Sequence, residues 1–132
     1  MRVKLAVLLA AAGLLIAVFQ GYAHHSGAAV FDPNKKLDMT GVVTKVEWTN
    51  PHAHFFMDVK DSAGKAVNWN LELASPNVLS RNGWKRNSIK EGDIVTITGS
   101  QARDGSNFGT AQTIVFPDGR KLNFLTAYEN DK

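Results

Sequence analysis

Short segments of alternating apolar and polar residues, each closed by a turn signal, constrain this chain more than any other feature. A period of two means strands with one buried face. Residues 39–49 alternate, with Thr40, Val42, Thr44, Val46 and Trp48 on the more apolar parity and Gly41, Val43, Lys45 and Glu47 on the other. Asn50-Pro51 ends the segment, because proline has no N–H for a strand ladder. Residues 52–60 put Phe55, Met57 and Val59 on one side and His52, His54, Phe56 and Asp58 on the other. Asp61-Ser62-Ala63-Gly64 has hairpin composition. A third strand over 65–73 sets Val67, Trp69, Leu71 and Leu73 against Asn68, Asn70 and Glu72.

One helix interrupts the pattern. Ser75 is a favourable N-cap, Pro76 fits the first helical position, and Gly83 fits the C-terminal stop, which predicts a helix over 76–82. Trp84 is expected to pack back on the core. Strands resume over 93–101 and 108–116, divided by Asp104-Gly105-Ser106. Pro117-Asp118-Gly119-Arg120 leads into a short closing strand from Lys121. The expected class is all-β with one short helix. A small five-stranded OB-like barrel (β-β-β-α-β-β) places that helix at one barrel end. A plain β-sandwich is the alternative and leaves the helix without a role.

The N-terminus reads as an address. Met1–Lys4 carries Arg2 and Lys4, and Leu5–Phe19 is an uncharged, almost wholly apolar run. Gly21-Tyr22-Ala23 then offers small residues at a cleavage site, which makes residues 1–23 a signal peptide and the location periplasmic or secreted. An uncleaved anchor is the rival reading, but a spanning helix needs about 20 apolar residues. Cleavage leaves no membrane span. The expected layout is an arm over 24–38, a barrel domain over 39–126 and a tail over 127–132. With no cysteine in the chain, the core alone must hold the fold.

Charge and aromatic placement argue against nucleic acid. The 15 basic residues lose Arg2 and Lys4 on cleavage and then nearly balance the 12 acidic ones. A phosphate-binding surface needs a concentrated basic face with exposed stacking rings. Trp48 and Trp69 instead share parity with core-facing residues. Catalysis also lacks a basis. There is no cysteine nucleophile, and no glycine-rich phosphate loop follows a strand.

Four histidines remain. Cleavage after Ala23 would expose His24 and His25 beside a free α-amino group. His52 and His54, two apart on a strand, project together about 6.5–7 Å apart at Cα. The 15-residue arm reaches up to roughly 50 Å when extended, so His24 and His25 can meet the other pair. Imidazole and amine donors without thiolate favour copper, with zinc second. The alternative is a face for a polar glycan or an envelope protein, made by Phe56, Asp58, Asn68, Asn70 and Glu72. On that reading the histidines are part of a solvated strand surface.

Several stretches are familiar together: His24-His25-Ser26, Phe31-Asp32, the run from Thr40 to Ala53 that ends in VEWTNPHA, Asn68-Trp69-Asn70, and Gly92 to Gly99. In these the chain resembles a family of small exported bacterial proteins catalogued as a domain of unknown function. The resemblance implies an exported single-domain protein and brings no established site residues.

Overall fold

A computed structural model describes residues 27–123. Gly27–Val30 forms one helical turn, α1. The strands are β1 (Phe31–Glu47), β2 (His54–Lys60), β3 (Ala66–Glu72), β4 (Ile94–Ala102), β5 (Phe108–Val115) and β6 (Lys121–Asn123). The helix α2 (Pro76–Arg81) lies between β3 and β4.

β1 organises the sheet because its 17 residues serve two neighbours. Its pairing with β4 runs from Phe31↔Ala102 to Val42↔Ile94. Its last part pairs with β2, from Val42↔Asp58 to Glu47↔His54. β2 pairs with β3, and β4 with β5, both antiparallel. The ring closes where β3 runs parallel to β5, with Asn70↔Phe108, Leu71↔Gly109 and Glu72↔Thr110. The sheet order is β3-β2-β1-β4-β5-β6, with β3 and β5 joined. A five-stranded ring with a helix between the third and fourth strands is the OB arrangement. β6 adds a short flap on β5.

The interior is apolar and closely filled. Phe55, Met57, Leu71, Val95, Ile97 and Ile114 are fully buried. Each such large side chain contributes about 1.5–3 kcal/mol on leaving water. α2 joins the core through Leu79, and Trp84 and Ile89 follow it there. Its boundaries follow local chemistry. The Ser75 Oγ accepts from the Val78 N–H at 3.4 Å, and Pro76 opens the helix. Gly83 has φ +86°, a left-handed conformation that only glycine adopts at low cost, and the Trp84 N–H turns back to the Leu79 carbonyl. Gly99 answers a different need. A Cβ there would run into the Thr110 carbonyl, where the β4–β5 register shifts.

Four expectations need correction. The even positions of residues 39–49 were expected to face the core throughout. Val43 is instead buried and Val42 is 44 % exposed. The cause is a bulge at Thr44: Val43 pairs with Met57, but Lys45 pairs with Phe56, so Thr44 has no opposite number. The extra residue flips parity, and only Val46 and Trp48 of the expected set pack on the core.

Residues 24–38 were expected to be an arm. From Phe31 onward they belong to β1, and Phe31 and Leu37 are buried. The ladder is interrupted between Phe31 and Lys36, the stretch that holds Pro33, and this interruption hides the alternation.

The second strand begins at His54, with His52 just outside it. The Ala53 backbone still exchanges hydrogen bonds with Leu73 and Ala74, which keeps His52 alongside β3. Finally, Glu72 was expected on an open face and is only 8 % exposed, because β5 lies against it.

The expected signal peptide, His24, His25 and the tail over 127–132 lie outside the described residues. Among the described residues, no helix is long and apolar enough to cross a membrane.

Candidate functional site

The outer face of β2 and β3 carries a continuous row of polar side chains. Alternation sets it up: Phe55 and Met57 point inward, so His54, Phe56 and Asp58 point outward, opposite Glu72, Asn70 and Asn68. The row is bonded across the two strands. Asn68 Nδ2 donates to Asp58 Oδ1 at 2.7 Å and to Thr44 Oγ1 at 3.1 Å. His54 Nδ1 lies 2.9 Å from Asn70 Oδ1. His52 Nδ1 lies 2.7 Å from Glu72 Oε1.

Both imidazoles are thus oriented by an oxygen on β3. An oxygen acceptor at Nδ1 calls for a proton there, and in a neutral ring that leaves the lone pair on Nε2. Metal-binding histidines are commonly held this way, since an acceptor behind the ring sets the tautomer and raises the basicity of the other nitrogen. Glu72 suits the task. Its side chain is only 10 % exposed, so its bond to His52 meets little competition from water.

Aromatic rings frame the row. The His54 ring stacks on Phe108, with centroids 6.2 Å apart and planes 16° apart. Phe108 in turn contacts Phe31 at 5.0 Å with a 54° tilt. The chain that arrives through α1 is therefore anchored two rings from His54. On the β1 side, Lys45 Nζ sits 5.4 Å from the Phe56 ring centroid and pairs with Glu47. The bond from Lys45 holds the Glu47 carboxyl below its ordinary value, against an opposing desolvation. The charge of Lys45 adds to the lowering.

The expected residues separate clearly. His52, His54, Phe56, Asp58, Asn68, Asn70 and Glu72 all fall on this one face. His24 and His25 lie outside the described residues. Among the described residues, no three histidine or carboxylate side chains converge as a ligand cluster. Two imidazoles are what this face itself supplies. Sequence reasoning missed Phe31, Phe108 and Thr44. Phe108 reaches the face only through the parallel β3–β5 pairing, for which no local pattern exists. The apolar parity of β1 pointed Thr44 inward, and the bulge turns it out.

No curated protein matches this chain. A protein-family profile described as "Family of unknown function (DUF6152)" matches residues 11–112, a span that takes in all four histidines and the whole β2–β3 face.

Proposed function

The chain belongs to that family of unknown function, and we propose that it is an exported binding module that takes up copper(II) through histidines. The observation that carries the reading is the pair of oriented rings: His52 and His54 each hold Nδ1 against an oxygen of β3, at 2.7 and 2.9 Å. Neutral imidazole nitrogens suit copper and zinc, and a nitrogen-rich tetragonal set favours copper(II). Further donors would come from His24, His25 and the α-amino group that cleavage after Ala23 would create. His25 precedes Phe31 by six residues, an extended reach of at most about 20 Å. Phe31 is itself held against Phe108, which stacks on His54. The tether is therefore short and starts beside the face.

The apolar leader supports a periplasmic or secreted location, where a copper-holding module would meet its ion. The test uses protein recovered from the periplasm, with its N-terminus read by mass spectrometry. Calorimetry and electron paramagnetic resonance then follow copper(II) addition. Binding at micromolar or tighter affinity, lost in the His52→Ala, His54→Ala double variant, is the expected result. Equal binding by that variant overturns the reading.

A second reading rests on Phe56, Asp58, Asn68, Asn70 and Glu72. Amides and a carboxylate beside an aromatic ring suit a polar glycan or an envelope protein without metal. Recovery of a partner by wild type and not by Asn70→Ala, Glu72→Ala, unchanged by a chelator, would favour it.

A further inference from the structure

We infer that the open edge of β3 takes an extended, acidic peptide as an added strand, at a place separate from the histidines. β3 has a partner on both sides only at Asn70–Glu72, where β5 joins it. Ala66–Trp69 pair with β2 alone. The Asn70 N–H points to the β5 side, where the Asn107 carbonyl accepts it at 3.0 Å. Backbone groups two residues apart in a strand point the same way. The N–H and C=O groups of Asn68 and Ala66 therefore face that side too, where β5 has not yet begun. Among the described residues no strand pairs with them there.

A groove runs beside this edge. It encloses about 320 Å³ and is lined by Met39, Val59, Val67 and Trp69, with Asn107 at its rim. All four apolar residues are only partly buried. The edge offers main-chain hydrogen bonds and the groove offers a seat for alternate apolar side chains. These are the two parts of strand-addition recognition.

Charge selects the peptide. Lys60 lines the groove and Lys65 immediately precedes Ala66; both are exposed, and neither has a carboxylate partner among the described residues. Asp61 also lines the groove, but its Oδ1 is turned into its own hairpin, accepting from the Ala63 and Lys65 N–H groups at 2.9 Å each. Two exposed lysines thus stand near an apolar slot, complementary to acidic residues flanking an apolar one. The region is the far end of the β2–β3 hairpin from His54 and Glu72, about 20 Å along the strands.

The test adds a blocked heptapeptide of alternating valine and glutamate to isotopically labelled full-length protein. Two analogues are compared, one with lysine for glutamate and one with a central proline. The expected result is shifted and exchange-protected amides at Ala66 and Asn68. Removing a hydrogen-bonded N–H with the proline analogue should weaken binding by about tenfold, as should Lys60→Glu, Lys65→Glu. Absence of amide protection at millimolar peptide overturns the inference, and so does equal binding of either analogue. Protection that grows with protein concentration and without peptide would assign the edge to a second copy and overturn it as well. Because the analogues leave the protein unaltered, the outcome does not depend on a variant folding. Copper plays no part in the readout, so the result is independent of the histidine reading.

Discussion

The imidazole of His52 rests its Nδ1 2.7 Å from Oε1 of Glu72, a carboxylate that the β3–β5 pairing has almost removed from solvent. A buried carboxylate bonded to a ring is costly to disturb, because the bond meets little competition from water. Glu72→Ala is expected to lower stability by about 1–3 kcal/mol and copper affinity by about 10- to 100-fold. Glu72→Gln keeps an oxygen acceptor and should retain more of both. Thermal melts and calorimetry on the two variants check this.

The Phe31–Phe108–His54 stack ties the start of β1 to the site. Phe31→Ala removes a buried aromatic, which typically costs about 3–5 kcal/mol. Where the variant remains folded, it should lose the contribution of His24 and His25 to copper affinity and keep that of His52 and His54. Copper titration of Phe31→Ala, alone and combined with His24→Ala, His25→Ala, reads this. A further loss on adding the histidine changes would refute the tether.

The bulge at Thr44 makes neighbouring valines unequal. Val42 is exposed, so Val42→Thr should change stability by no more than about 0.5 kcal/mol. Val43 is buried, and Val43→Ala should cost about 1–3 kcal/mol through the cavity it leaves. Chemical denaturation of both variants measures the difference. The opposite ranking would restore the even-faced pattern suggested by residues 39–49.

Gly99 is constrained by space. A methyl group there meets the Thr110 carbonyl, which belongs to backbone and cannot swing away. Gly99→Ala is expected to destabilise by about 1–3 kcal/mol through overpacking, read as a fall in the denaturation midpoint.

Acid should loosen the turns before the core. Ser106 hydrogen bonds lower the Asp104 carboxyl, and Arg120 lowers that of Asp118, each by side chain first and backbone second. A depressed folded-state value means stability that is present above the ordinary carboxylate range. It is lost as pH falls through the depressed value. Melting temperature should therefore hold from neutral pH down to the ordinary carboxylate range and fall as pH drops below about 4, less steeply in Asp104→Asn, Asp118→Asn. An unchanged slope in that variant would show that these turns do not contribute.

Much of this protein was legible from residue order, because its signals are local. Turn dipeptides, the Ser75-Pro76 helix start and the Gly83 stop each act within a few residues, and they yielded the element order and the OB-like class. Placing His54, Phe56, Asp58, Asn68 and Asn70 on one face needed only period-two alternation within two strands joined by a tight hairpin. Three things came from tertiary structure alone: the parity reversal at Thr44, the absorption of residues 31–38 into β1, and the parallel seat of β5 on β3. Each depends on which backbone groups, distant in sequence, find one another when the sheet closes. That closure brings Phe108 to His54, encloses Glu72, and leaves the beginning of β3 paired on one side only among the described residues.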